Sequence, residues 1–195
     1  MNSIVYALHR QIPCAVLLLA SVAAAHASAA DQDITLFAAD GYRIDNFRSP
    51  VPDHVPGAQT LDTVAARALI ASEPTAVFID VLPRPPRPAG LSATSLWIPP
   101  PHHSIPGSTW LPNVGYGRLS DELDAYFRHH LQRLSDGRRD RPLVIFCQAD
   151  CWMSWNAARR AAEYGYARVF WYPDGTDGWT AAGLTLAPST PAPSP

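Results

Sequence analysis

Lysine is absent from this 195-residue chain, in which all 15 basic residues are arginines. Without lysine there is no Schiff-base amine, no P-loop phosphate lysine and no Ser-Lys dyad, so enzyme classes that depend on these groups are excluded. The 17 acidic residues give a formal net charge of −2. This balance provides no basic field for a nucleic acid, and we expect no nucleic-acid partner.

Long apolar runs are also lacking, and the only candidate lies near the start of the chain. Residues 12–25 are almost wholly apolar, follow His9 and Arg10, and precede the small residues 27–30. This order is typical of a cleaved secretory signal peptide. No later stretch approaches the ~20 apolar residues that a membrane helix needs. The sequence therefore predicts a signal peptide over residues 1–30, export, and no membrane span after cleavage.

Cysteine is rare, and Cys14 lies inside the predicted signal peptide. Cys147 and Cys151 remain after export, four positions apart. In an oxidising compartment this short spacing favours a reversible disulfide, because structural bridges more usually join distant segments. Two alternatives stay open from the residues alone, namely a permanent structural bridge and two buried, unreactive thiols.

The spacing of the cysteine pair also limits which cofactors it could bind. Covalent haem attachment requires Cys-x-x-Cys-His, whereas here the spacing has one extra residue and Trp152 stands in the place of the histidine. A zinc or copper ion held by Cys147, Cys151, Asp150 and a histidine of the pair 102–103 stays an alternative, because sequence cannot show that these residues converge. We expect no cofactor and no metal.

Apolar patterning predicts an α/β fold. Strands are predicted at 77–81, 109–111, 143–146 and 169–172, with an edge strand at 42–47. Helices are predicted after N-caps at Thr60 and Ser120 and from about Met153 to Tyr164, with turns at 173–175 and 177–178 and a helical turn at 179–182. In the first helix the face formed by Leu61, Val64, Ala65, Ala68 and Leu69 is expected to pack inward. Strands that alternate with helices indicate a central, mainly parallel sheet covered by helices on both faces.

The domain organisation follows from composition. Residues 31–59 form an N-terminal arm laid over the domain, which itself spans residues 60–186. Frequent prolines make residues 82–101 a loop, because they remove backbone donors. The last nine residues, 187–195, are a Pro/Ser tail that is expected to be disordered.

A short loop begins where the apolar strand 143–146 ends, and Cys147 is its first residue. In open α/β sheets ligands bind beyond the carboxyl ends of strands. If the amides of residues 148–152 wrap toward the following helix, they form an anion-binding nest, and the helix N-terminus adds partial positive charge. Such surroundings lower a thiol pKa and favour a nucleophilic Cys147 thiolate.

Three motifs in order resemble the rhodanese-like superfamily over about residues 60–184. The run Phe78-Ile79-Asp80-Val81 is similar to that superfamily's Ile-Asp-Val strand, and His103-Ser104-Ile105-Pro106-Gly107 to its His-Ile-Pro-Gly signature. Cys147 falls on its active cysteine. The resemblance implies a rhodanese-like α/β fold, with Asp80, His103 and Trp179 as supporting residues.

A longer passage, CQADCWMSWNAARRAAEYGYARVFWYPDGTDGW, resembles a narrower family. That family is associated with catabolism by pyrroloquinoline quinone (PQQ) enzymes and is named for its two-Cys-plus-Trp motif. The segments GYRIDNFRSPVP and IPGSTWLPNVGYG extend the similarity over nearly the whole mature chain. The resemblance implies a periplasmic accessory protein beside PQQ-dependent alcohol oxidation, with a periplasmic partner such as the PQQ-dependent alcohol dehydrogenase system.

The cysteine loop departs from that of sulfurtransferase rhodaneses, which commonly place arginine after the cysteine and a cationic or hydroxyl residue near the loop end. Here those places hold Gln148 and Trp152, and Asp150 adds negative charge, so thiosulfate is disfavoured. The hypothesis is thiol–disulfide or persulfide exchange, with Cys147 attacking and Cys151 resolving. The remaining loop residues would bind the substrate or an anion: Gln148, Ala149, Asp150, Trp152 and Met153. A non-catalytic docking module, a thiosulfate sulfurtransferase and a metal carrier are the alternatives.

Overall fold

Five short strands form a central sheet in which every pairing is parallel. They are β1 (Gln59–Thr60), β2 (Val77–Asp80), β4 (Thr109–Trp110), β5 (Leu143–Phe146) and β6 (Val169–Tyr172), in the order β1-β6-β5-β2-β4. Two further strands, β3 (His102–Ser104) and β7 (Ala187–Ser189), pair antiparallel to each other. The computed structural model describes residues 36–92 and 94–194, so the predicted signal peptide and Cys14 lie outside the described residues.

Helices cover both faces of the sheet. They are α1 (Thr63–Ser72), α2 (Asp121–Leu134), α3 (Trp152–Glu163) and α4 (Gly175–Ala181). Strand β5 is apolar at every position because it is buried on both sides: Leu143 and Ile145 join the core beneath α2 and α3, and Val144 and Phe146 join the core beneath α1 and α4. The predicted α/β fold, with a central parallel sheet covered by helices on both faces, is confirmed.

The first helix begins later than its sequence predicts. Thr60 is the last residue of β1 and pairs with Trp171, so it cannot cap a helix. Asp62 is the N-cap instead, with its Oδ1 atom accepting the Ala65 amide at 2.7 Å. The predicted inward face is confirmed in part: Leu61 is buried, and Ala65 and Leu69 pack against the same core. Val64, which is 74% exposed, and Ala68 face outward, while Ala66 is the buried residue of the helix.

Two other elements differ from prediction. The expected edge strand at 42–47 is not a strand: the segment makes an isolated bridge from Arg43 to Phe37, and its extension is interrupted at Asn46, whose φ is +45°. The predicted turn at 177–178 is helical instead, and the predicted helical turn at 179–182 is the end of one longer helix, α4, whose last residue is Ala181. Residues 82–92 and 94–101 contain neither helix nor strand, as their prolines predict.

The Pro/Ser tail is ordered by pairing, so its predicted disorder is wrong. Residues 187–189 form β7 against β3, and the Ala192 amide donates to the Trp110 carbonyl at 2.9 Å. The Tyr126 hydroxyl donates to the Ala192 carbonyl at 3.1 Å. Composition alone does not predict that this segment is ordered, because its contacts use main-chain groups, which every residue carries.

The described residues from Phe37 onward form one compact unit, which includes residues 37–59 of the arm and residues 187–194 of the tail. Within the part of the chain that the structure describes, no helix is both long and apolar enough to cross a membrane.

Candidate functional site

The cysteine loop lies between the carboxyl end of β5 and the start of α3. Cys147 directly follows β5, and Cys151 is the N-cap residue of α3. The two residues form a disulfide, with their Cα atoms 6.3 Å apart. The site therefore stands where ligands bind in parallel α/β sheets, next to the positive end of a 12-residue helix.

The disulfide is buried. Cys147 is 1% exposed and Cys151 is 4% exposed. Both belong to the core on the α2 and α3 side of the sheet, together with Trp152, Met153 and Trp171. A reagent as large as a protein therefore cannot reach the sulfur atoms unless part of the chain moves aside.

Backbone geometry holds the loop in its path. Asp150 has φ +51°, a left-handed conformation that aspartate tolerates better than most residues. The Thr176 amide donates to the Cys147 carbonyl at 3.0 Å, and Gln148 forms an isolated antiparallel bridge with Gly175. Gly175 has φ +51°, and a Cβ atom there would overlap the Cys147 carbonyl. Close approach of α4 to the loop thus requires glycine at this position.

The predicted anion nest is partly filled by the protein itself. The Ala149 amide donates to the Asp177 carboxylate at 3.2 Å, and the Trp152 amide donates to the Phe47 carbonyl at 2.9 Å. Asp177 also pairs with Arg48 at 3.4 Å. Since these two amides already have acceptors, and one acceptor is a carboxylate, the loop is a poor receptor for a free anion.

The N-terminal arm supplies contacts that sequence reasoning did not anticipate. Arg48 forms an antiparallel bridge with Cys151, and the Ser49 amide donates to the Asp150 carbonyl at 3.0 Å. The indole N–H of Trp152 donates to the Pro50 carbonyl at 3.0 Å, and its ring stacks edge-on with Phe37. Trp152 is thus the residue through which the arm is fastened to the start of α3.

The predicted supporting residue Asp80 is fully buried, but it does not join the cysteines. Its Oδ1 atom accepts the Leu82 amide at 2.8 Å, while Oδ2 accepts the Ser104 hydroxyl at 2.5 Å and lies 2.8 Å from His102 Nε2. Side-chain alternation along the strands puts Asp80 on the α1 and α4 face of the sheet, opposite to Cys147. Asp80 therefore anchors the loop 82–101 and strand β3.

The histidine that meets Asp80 is His102, not the predicted His103. His103 is exposed on the outer side of β3, because neighbouring residues of a strand point in opposite directions. Trp179 is likewise structural: it belongs to the core beneath α1 and α4, and its indole donates to the Thr185 carbonyl at 3.2 Å. Met153 packs in the other core and its backbone lies against Gly115.

A metal site at the cysteines finds no support in the arrangement of the described residues, among which no group of three or more His, Cys, Asp or Glu side chains could hold an ion. The proposed ligand His102 is engaged by Asp80 on the opposite face of the sheet. A metal shared by the histidine and the cysteines would therefore need both to leave their present partners.

Comparison with known proteins decides the family. A model of the rhodanese-like domain matches residues 62–182, which is more than half of the chain. The chain belongs to the rhodanese-like domain family. This rhodanese-like domain is similar to the polysulfide-sulfur transferase homodimer from Wolinella succinogenes, with 19% identity and a TM-score of 0.43 over 68% of this chain and 80% of that one.

The rhodanese-like domain is also similar to the human single-domain sulfurtransferase TSTD1. The identity is 24% and the TM-score 0.40, and the match covers 64% of this chain and 96% of the human one. A search among curated proteins finds no match.

Proposed function

We propose that this rhodanese-like domain carries out thiol–disulfide or persulfide exchange through Cys147 and Cys151. The observation that carries the proposal is the disulfide that joins these two residues at the carboxyl end of β5, beside the N-terminus of α3. Membership of the rhodanese-like family supports sulfur transfer or thiol chemistry in general. When the bond is reduced, the helix N-terminus stabilises a thiolate at this place.

Starting from the reduced pair, the exchange balances with a partner disulfide as the oxidant. The Cys147 thiolate attacks one sulfur of a partner disulfide, forms a mixed disulfide and releases one partner thiolate. The Cys151 thiolate then attacks Cys147 Sγ, which closes the Cys147–Cys151 bond and releases the second partner thiolate. This chain loses two electrons and the partner gains them. If Cys147 instead carries a persulfide, the same attack by Cys151 closes the disulfide and releases hydrosulfide.

A purely structural role for the bond is the weaker interpretation. The cysteines are four positions apart, so the bond closes a very short loop. In the chain-entropy model such a closure stabilises the fold by only about 2 kcal/mol, less than a bridge between distant segments does. The loop is in addition already held by its backbone contacts with α4 and the arm. A bond with so little to stabilise is better suited to reversible chemistry.

The biological setting that we propose is the periplasm, beside PQQ-dependent alcohol oxidation. Two features support it: the signal-like residues 1–30 and the resemblance of the passage from Cys147 to Trp179 to the PQQ-associated family. In this role the protein would keep a periplasmic component of alcohol catabolism in its working thiol state. It needs no cofactor of its own for the exchange.

Trapping of a mixed disulfide tests the proposal. Because Cys151 resolves the intermediate, Cys151→Ser should accumulate a reductant-sensitive adduct with a periplasmic protein in cells grown on an alcohol. Cys147→Ser is the matched control and should form no adduct, since it lacks the attacking thiolate. Mass spectrometry with and without reductant reads out the result. Failure of both variants to form an adduct would exclude exchange with a protein partner.

A second candidate function, a non-catalytic docking module, is favoured by the proline-rich loop 82–101. Leu96 is 83% exposed and Ile98 is 72% exposed, which is unusual for neighbouring apolar side chains. The Arg87 guanidinium donates to the carbonyls of Ser92 and Ser95, and this holds the turn that precedes them. The loop therefore presents apolar side chains in a defined shape.

The two functions separate by mutation. If docking is the function, Cys147→Ser/Cys151→Ser keeps the growth phenotype and partner binding of the wild type, while Leu96→Ser/Ile98→Ser loses both. If exchange is the function, the double cysteine variant loses the phenotype. Growth on an alcohol as carbon source, with expression levels checked, distinguishes these outcomes.

A further inference from the structure

Residues 44–54 cross the cysteine loop and are called here the strap. None of them is buried, whereas the residues at both ends of the strap are: Tyr42 and Arg43 before it and Val55 after it. The anchors are firmly bound. The Tyr42 hydroxyl donates to the Glu163 carboxylate at 2.5 Å, and the Arg43 amide donates to Asn156 Oδ1 at 3.1 Å. A segment of this kind can leave its place while its ends stay fixed.

The strap is held on the cysteine loop mainly by its backbone. The Ser49 amide donates to the Asp150 carbonyl at 3.0 Å, and the Phe47 carbonyl accepts the Trp152 amide at 2.9 Å. These two bonds flank the antiparallel bridge between Arg48 and Cys151. Main-chain pairing of this type does not depend on the side chains of the added segment, so any extended peptide can make it.

Two apolar side chains of the strap, Phe47 and Val51, pack against the core beside the loop, whereas its charged pair adds little. Arg48 and Asp177 are 53% and 49% exposed, and an ion pair so open to solvent contributes little. The carbonyl of Pro50 accepts the indole N–H of Trp152, which again uses a main-chain atom. Cys147 and Cys151 beneath are 1% and 4% exposed as whole residues, so exchange with a protein requires a covering segment to move, and the strap is the segment that pairs with Cys151.

We propose that the strap occupies the place of an extended, cysteine-bearing peptide segment of the exchange partner, which displaces it to reach the disulfide. This inference rests on the proposed function and names the substrate class: a polypeptide segment that pairs antiparallel with Asp150–Trp152. A basic residue at the position of Arg48 fits, because Asp177 lies opposite.

The chemical step after displacement balances. A partner thiolate attacks Cys147 Sγ, the Cys147–Cys151 bond breaks, and Cys151 leaves as a thiolate. A second thiolate of the partner then attacks the partner's own sulfur in the mixed disulfide and releases the Cys147 thiolate. The partner is oxidised to a disulfide and this chain is reduced by the same two electrons, so this step is the reverse of the exchange that starts from the reduced pair, and it regenerates that pair.

The rate at which dithiothreitol reduces the disulfide in the full mature chain tests whether the strap is a barrier. Ser49→Pro removes the amide that binds Asp150, whereas Ser49→Ala removes the same hydroxyl and keeps the amide. The loss of one hydrogen bond should speed reduction by about threefold to tenfold in the proline variant relative to the alanine variant. Equal rates in the two variants would overturn the proposal.

A second measurement tests the occupant and does not need the proline variant. In Cys151→Ser, Cys147 is joined by a mixed disulfide either to an octapeptide with one central cysteine or to 2-mercaptoethanol. Hydrogen exchange is then measured at residues 47–49. The peptide adduct should lose protection there, because the peptide replaces the strap, while the 2-mercaptoethanol adduct should keep it.

Equal protection in both adducts would overturn the proposed substrate class. Neither measurement uses the physiological partner. A failure of the strap proposal is therefore distinguishable from a failure of the exchange function, which is read out by trapping in cells.

Discussion

At the scale of single residues, Asp177 limits the access of anions to the loop amides. Its carboxylate accepts the Ala149 amide and carries the negative charge that a free anion would need to replace. Gln148 and Trp152 bring no positive charge, and the nearby Arg48 is paired with Asp177, so the loop has little to attract thiosulfate. Charge at the loop thus favours neutral or protein-borne sulfur over small anions.

Asp177→Asn is expected to make thiosulfate a better substrate. Removing the charge should raise the rate of thiosulfate-to-cyanide sulfur transfer by the reduced chain about fivefold, because a close charge repulsion of roughly 1 kcal/mol at a half-exposed site is lost. Asp140→Asn, at the opposite end of β5, is the matched control and should have no effect. Thiocyanate formation measures the rate. An unchanged rate would show that Asp177 does not govern anion access.

The position of the cysteine pair could be predicted from the sequence, whereas the groups that hold its loop could not. Cys147 and Cys151 stand next to a recognisable strand and helix, which marks them. Phe47 and Pro50 contribute only carbonyl oxygens to Trp152, and every residue has one, so no pattern identifies them. The resemblance to the His-Ile-Pro-Gly signature marks His103, but it does not show that the adjacent His102 is the one that faces Asp80.

At the scale of elements, helix α2 has a buried histidine that ties it to the tail. His130 is 2% exposed, and its Nε2 atom lies 3.0 Å from the Pro193 carbonyl, to which it donates. Burial lowers the pKa of His130 below its usual value. The folded state therefore binds this proton less readily than the unfolded chain does.

The buried His130 should make the folded protein less stable at acidic pH. Stability from the neutral imidazole is fully present above the unfolded pKa of about 6.5 and is lost as the pH falls through the lower folded pKa. The free energy of unfolding of the wild type should thus decrease between pH 7 and pH 5, and His130→Gln should flatten this slope. His129→Gln, on the exposed neighbour, should not. Urea unfolding at several pH values measures the slopes, and equal slopes would contradict the prediction.

Helix boundaries illustrate what local sequence can decide. Ser120 is correctly predicted as the N-cap of α2, where its side chain accepts the Leu123 amide. Thr60 and Asp62 are both good cap residues, so local preference could not choose between them. The choice is made by a distant strand, because Thr60 is paired with Trp171 in β6.

At the scale of the whole molecule, the tail lies along one edge of the fold, where it pairs with β3 and contacts Trp110. Strand β7 covers β3, and Ala192 is bound to both Trp110 and Tyr126. The central sheet itself could be predicted, because its strands are uniformly apolar runs separated by helical patterns. The tail could not, because proline and serine carry no apolar signal and its pairing partner His102–Ser104 is about 85 residues away.

Truncation after Leu186 tests the role of the tail. Loss of the β3–β7 pairing and of the bonds to Ala192 and Pro193 should lower the free energy of unfolding by about 2–4 kcal/mol, at roughly 0.5–1.5 kcal/mol for each hydrogen bond. Removal of residues 194–195 alone is the control and should be neutral. Urea unfolding with the disulfide intact measures the difference. An unchanged midpoint would mean that the tail contributes no stability.

The strap has a further consequence for how the cysteine pair responds to its surroundings over time. In the unfolded chain the two thiols lie four residues apart and are open to any oxidant, whereas in the folded chain they are covered. If the strap must move for exchange, as proposed, the oxidation state of the folded chain should change only as fast as the strap opens. The ratio of dithiol to disulfide should therefore lag behind a change in the redox potential of the compartment. A peptide that displaces the strap should remove this lag, because it gives access to the disulfide.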